Sequence, residues 1–170
     1  FLGKSFASSI SPWIVTLDAL EPFKIHGEKQ MPEVCDYLKF KGPKNYNINL
    51  EVFIKTEDEI KTMVSNSNFK YMYWNMCQQL AHHTINGCNI QAGDLMASGT
   101  ISGPKKQEFG SMLELSWGGK KIIELKNGQS RKFLENNDSV IIRGYAKNKH
   151  VKIGFGEVEN KIIDELKADK

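Results

Sequence analysis

The stretch YNINLEVFIK, residues 46–55, decides the fold class. Tyr46, Ile48, Leu50, Val52 and Ile54 alternate with Asn47, Asn49, Glu51, Phe53 and Lys55, and this period of two predicts a half-buried strand. Downstream, DLMASGT (94–100), SMLELSW (111–117), KKIIEL (120–125), RKFL (131–134), SVIIRGYA (139–146) and VKIGFGEVE (151–159) read as further short strands. Gly118-Gly119 as a hairpin turn, Asn127-Gly128 and the ENND turn at 135–138 separate them. Turn signals at intervals of roughly 8 to 12 residues predict a rolled or sandwiched, antiparallel-rich sheet.

One segment breaks this pattern. In SNSNFKYMYWNMCQQLAHHTINGCN, residues 65–89, Tyr73, Met76, Cys77, Leu80, Ala81 and Thr84 recur at three-and-four spacing, which predicts a helix of roughly four turns. Ser67 or Asn68 is the expected cap, and Asn86-Gly87 the left-handed stop. Residues 1–45 carry Pro12, Pro22, Pro32 and Pro43 between short apolar pieces, as a loop layer or short strands would. The last ten residues, KIIDELKADK, fit a frayed tail or a short helix. The expected class is therefore mainly β with one main α-helix (α+β).

Length and charge narrow the function. A chain of 170 residues suffices for a single domain, residues 1–170, burying roughly 70% of its unfolded surface. The 23 Lys and Arg against 20 Asp and Glu leave a net charge of only +3, with the signs interleaved, so there is no steering field for nucleic acid. Cys35, Cys77 and Cys88 form no CxxC pair and cannot all be bridged, which points to a reducing compartment, the cytoplasm. No apolar run approaches the roughly 18 residues of a membrane span, and no segment has the order of a signal peptide. The chain opens on FLGKSF without Met, as a piece of a longer polypeptide or a processed product would.

Most familiar catalytic patterns are missing. His82 and His83 are adjacent, about 100° apart around a helix, and cannot share a metal as residues four apart could. IGFGEV, residues 153–158, has Gly154 and Gly156 but no third glycine opening a helix, so a strand bend or bulge is the better reading than a dinucleotide loop. Ser102, Ser111 and Ser116 lack a GxSxG setting. Two residues stay open. On a strand, Glu114 would share a face with Met112 and Ser116. If that face is buried, the carboxylate needs a cation, a metal or an imidazole N–H against it; if not, it is an outward Glu on an edge strand. Thr100, closing ASGT, binds a carboxylate or closes a turn.

FLGKSFASSISPW (1–13), SNFKYMYWNMCQQLAHHTINGCNIQAGDLMASGTISGP (67–104) and FGSMLELSWGGKKIIELKNGQSRKFLENNDSVIIRGY (109–145) closely resemble the C-terminal portion of the fumarylacetoacetase (fumarylacetoacetate hydrolase) family, over about residues 1–166. The resemblance implies a mixed β-sandwich roll, a homodimer, and a metal-dependent hydrolase that cleaves a carbon–carbon bond of a β-diketo acid in tyrosine breakdown, with Mg2+ and Ca2+ as the ions. It implies that Lys4 stands beside the magnesium position and the developing oxyanion. Ser8 replaces the usual threonine at that position, and Ala7 the usual glycine. Thr100 holds the substrate carboxylate, and Glu114 orients a catalytic histidine. That histidine and the calcium carboxylates are implied to lie upstream of residue 1, so the chain would carry part of the site; His82 and His83 are not the base. Two other readings remain: a non-catalytic β-roll dimerisation or binding module, and a hydrolase or decarboxylase of the wider superfamily acting on another oxo-acid.

Overall fold

The alternating stretch at 46–55 does become the centre of the sheet from Asn49 onward, although its first residue, Tyr46, pairs elsewhere. The computed structural model describes residues 7–164. Strands β1 (Lys24–Ile25) and β2 (Asn45–Tyr46) form a two-stranded ribbon. β3 (Asn49–Lys55) lies between β4 (Lys61–Asn68) and β7 (Ser139–Lys147), and β8 (Lys152–Lys161) completes a four-stranded antiparallel sheet in the order β4-β3-β7-β8. β5 (Ile123–Glu124) and β6 (Ser130–Arg131) form a second ribbon. Among the described residues the fold is mostly β with few short helices, and every strand pairing is antiparallel.

Burial follows the alternation where the sheet is covered. Ile54 and Ile141 are 1% and 0% exposed, whereas Ile142, one residue on, is 42% exposed, because neighbouring side chains on a strand point to opposite faces. Leu20, Phe23, Tyr46, Ile48 and Ala146 form a buried cluster that docks the irregular N-terminal region on one end of the sheet. Helix α1 (Leu17–Leu20), capped by the Thr16 hydroxyl, delivers Leu20 to it.

The long helix is shorter than its periodicity predicts. Residues 61–68 pair with β3, so Asn68 sits in an extended backbone and caps only a single turn of 3₁₀ helix. Sheet pairing overrides the local helical pattern. Helix α2 spans Met76–Thr84 and begins at a capping box formed by Asn75 and Gln78. Gln78, 2% exposed, donates to the Leu38 carbonyl at 2.9 Å and to Gln30 Oε1 at 2.8 Å. Polar contacts therefore anchor α2, while Met76 and Leu80 on its apolar stripe stay exposed. The helix ends where expected, with Gly87 at φ +88°.

Two expected strands are absent. Residues 94–100 are irregular and almost entirely exposed, since no neighbouring strand among the described residues supplies a ladder. Residues 111–117 form a helical turn instead, α3 (Met112–Leu115). Its end is a Schellman arrangement, with Trp117 N–H on the Glu114 carbonyl and Gly118 N–H on the Leu113 carbonyl. Trp117, Gly118 and Gly119 all have positive φ, so Gly118-Gly119 turns the chain out of a helix and not through a hairpin. The C-terminal tail lies partly outside the described residues.

The glycines of 153–158 make a bulge, as the sequence predicts. Arg143 pairs with Glu157 and Tyr145 with Gly154, so Phe155 and Gly156 together oppose Gly144. Gly156 has φ +75°, and a Cβ there would lie 2.2 Å from Trp13 Cδ1. Gly156→Ala is expected to cost about 1–2 kcal/mol from the left-handed backbone, with the exposed indole displaced. Gly154→Ala meets nothing within 4 Å and should stay within about 0.5 kcal/mol. Urea unfolding of the two variants checks the contrast.

Candidate functional site

Glu114 lies in the first turn of α3, not on a strand, and its surroundings answer why a carboxylate sits there. Ser111 is the N-cap: its hydroxyl oxygen accepts the Glu114 N–H at 3.2 Å, and its hydroxyl donates to Glu114 Oε2 at 2.8 Å. Ser102, twelve residues earlier, reaches both carboxylate oxygens at 2.9 Å. The Ser102 oxygen in turn accepts the Gly110 N–H at 3.0 Å. Two hydroxyl donors and one backbone amide therefore fix a half-buried carboxylate.

Gly110 holds the corner together. A Cβ there would stand 2.4 Å from the Ile101 carbonyl oxygen and 3.0 Å from the Thr100 methyl. Thr100 therefore packs at Gly110, whose N–H the Ser102 oxygen accepts, and is exposed. Ser111 and Met112 cover an apolar cleft of about 160 Å³ whose floor includes Val52, Ile54 and Val140 of the sheet. The cleft lies between α3 and strands β3 and β7.

Two further residues were expected at the site, Lys4 and Ser8. Lys4 lies outside the described residues. Ser8 is exposed and has no part in the Glu114 hydrogen bonds. His82 Nδ1 is paired with the Tyr37 hydroxyl at 2.8 Å, and His83 Nε2 lies 3.5 Å from Cys88 Sγ. Both line an open groove of about 510 Å³ with Trp74 and Met96, apart from the Glu114 network. The three cysteines are free and exposed.

Ser102 and Ser111 are the partners of Glu114 that sequence reading missed. Considered only as nucleophiles, they hold no imidazole, and their protons face Glu114. A signal existed for one of them: Ser-Met-Leu-Glu before an apolar residue is the S-x-x-E spacing of a helix start. Nothing local marks Ser102, because its partner is brought near by the turn at 103–110.

Over residues 1–163 the chain matches the family model described as Fumarylacetoacetate (FAA) hydrolase C-terminal. The chain belongs to this family. Among curated members of the fumarylacetoacetate hydrolase family, it is 53% identical to the fumarylacetoacetase of Homo sapiens over 167 residues, which is 98% of this chain and 40% of that protein. It is 51% identical to that of Bos taurus, again over 98% of this chain and 40% of the relative. The Dictyostelium discoideum fumarylacetoacetase is 50% identical over 173 residues, covering 100% of this chain and 40% of the relative. The chain thus spans about 40% of the length of these relatives.

Fumarylacetoacetate hydrolase family members are typically metal-dependent, so the donor set matters. Among the described residues no group of three or more His, Cys, Asp or Glu could hold a metal ion, and Ser8 offers one exposed hydroxyl. These residues alone do not fit a magnesium or calcium centre, which needs about six oxygen ligands. No helix of the described residues is long and apolar enough to cross a membrane.

Proposed function

We propose that this chain acts within a fumarylacetoacetase, hydrolysing the carbon–carbon bond of 4-fumarylacetoacetate to fumarate and acetoacetate, the last step of tyrosine catabolism. The observation that carries the reading is the held carboxylate. Glu114 is fixed by two serine hydroxyls, in a chain about half identical to fumarylacetoacetases along nearly its whole length.

In this reading Glu114 accepts a ring N–H from an imidazole outside this chain and sets the tautomer whose other nitrogen takes a proton from water. The Thr100 hydroxyl donates to a carboxylate of the β-diketo acid. Lys4 supplies positive charge where the oxyanion and then the acetoacetate enolate develop. Ser8 keeps a hydroxyl oxygen at the position implied for magnesium. Mg2+ and Ca2+ remain the ions the resemblance implies, and their carboxylate ligands would come from beyond residues 7–164. Residues 1–170 form one domain, completed into a mixed β-sandwich roll by the rest of a longer protein, which works as a homodimer in the cytoplasm.

A chimera tests this reading. The chain replaces its matching region in human fumarylacetoacetase, and loss of the diketone absorbance of fumarylacetoacetate is followed. Turnover is expected in the chimera and none from the isolated chain. A chimera that is folded by circular dichroism yet inactive overturns the assignment.

A further inference from the structure

We infer that Ser102 and Ser111 are positioning residues that choose which oxygen of Glu114 faces the reacting groups; the inference rests on Glu114 having the role proposed above. Each hydroxyl is committed as a donor toward Glu114, because a carboxylate oxygen can only accept, while its own oxygen receives a backbone N–H. The Gly110 N–H occupies the Ser102 oxygen at 3.0 Å, and the Glu114 N–H occupies the Ser111 oxygen at 3.2 Å. A serine hydroxyl carries one proton, and in each case it lies against the carboxylate.

The two donors are unequally distributed. Ser111 reaches only Oε2, at 2.8 Å, while Ser102 stands 2.9 Å from both oxygens. Oε2 therefore receives one full donor and a share of the second, whereas Oε1 receives the remaining share alone. Among the described residues nothing else donates to Oε1, which leaves it an acceptor site for an N–H. The terminal torsion of a glutamate is broad when nothing holds it, so an unassisted carboxylate would present either oxygen over a range of angles. Two charge-assisted hydrogen bonds narrow that range. Gly110 makes the arrangement possible, since any larger residue would press on the Ile101 carbonyl at 2.4 Å and move the amide that orients Ser102.

A serine that merely supports the fold would act whether or not residue 114 is a carboxylate, whereas a serine that aims the carboxylate would not. The test is a double-mutant cycle in the active chimera described above. Ser102→Ala is expected to lower kcat about tenfold with KM within about twofold, the loss of one charge-assisted hydrogen bond felt in the transition state. Ser111→Gly, chosen because glycine is a tolerated cap, should lower kcat by about three- to tenfold. Ser102→Thr, which keeps the hydroxyl, should retain most of the rate. In a Glu114→Gln background neither serine change should lower kcat further, because the hydroxyls there hold only a misdirected amide.

Full serine effects that persist in the Glu114→Gln background, or an unchanged kcat in both single variants, overturn the inference. Should Ser102→Ala fail to fold, the Ser111→Gly cycle decides alone. A Glu114→Gln enzyme with unaltered rate is a different result: it removes the role of Glu114 itself.

Discussion

Glu114→Gln is expected to slow hydrolysis of fumarylacetoacetate by two or more orders of magnitude, roughly 3 kcal/mol in the barrier, in the chimera that joins this chain to the rest of the human enzyme. Glutamine preserves size and keeps one carbonyl oxygen. It replaces the other oxygen with an NH2 donor, which would meet the hydroxyls of Ser102 and Ser111 donor to donor. The amide then turns until its oxygen faces those hydroxyls, and its NH2 group faces the imidazole that the carboxylate was placed to receive. The ring loses both its acceptor and the charge that stabilises an imidazolium, as when the orienting carboxylate is removed from other His-dependent hydrolases. The effect should fall on kcat, with KM little altered, because the substrate contact assigned to Thr100 is untouched. A rate within threefold of the parent would show that Glu114 has no such role, whatever its geometry.

Asp138→Ala is the largest stability loss expected away from the site. Asp138 is 1% exposed and closes the ENND turn, accepting the Glu135 N–H at 2.9 Å. It also takes a two-pronged contact from Arg131, Nε to Oδ2 at 2.8 Å and Nη2 to Oδ1 at 2.9 Å. Removing the carboxylate leaves a guanidinium whose side chain is only 10% exposed, with the more distant Glu135 at 3.5 Å as its remaining acidic partner. Breaking one partner of a buried ion pair typically costs about 3–5 kcal/mol. The residue also immediately precedes β7 and accepts the Ile162 N–H at 2.8 Å through its backbone, so the β7–β8 end should loosen first. Chemical denaturation gives the magnitude, and hydrogen exchange near residues 137–162 gives the place. Asp138→Asn, which keeps the shape but not the charge, should fall between the parent and the alanine variant. An alanine variant within 1 kcal/mol of the parent would mean that the pair is offset by its own desolvation.

Much of the sheet is readable without coordinates, and the reason is visible in single residues. The alternation at 49–55, the apolar run beginning at Ser139 and the ENND turn agree with one another and with their neighbours. Gly154 and Gly156 could be read as a bulge because only glycine readily takes φ +75° in a strand. SMLELSW was misread for an equally physical reason. Five alternating residues satisfy a strand and a helical turn alike, and the choice fell to the Ser111 cap and the left-handed run at Trp117–Gly119. The periodic face of residues 73–84 is real, yet it begins later than the pattern suggests, because Lys61–Asn68 pairs with β3.

The sequence alone marked β3, β7 and β8, the turns at 127–128 and 135–138, the family, and Glu114 and Thr100 as the residues to watch, since those signals are local or lie in long matching runs. Only the tertiary structure decided that Glu114 rides on a helical turn and that Ser102 grips it from twelve residues away. A hydrogen bond between side chains depends on where two backbones are carried, and no local pattern encodes that distance.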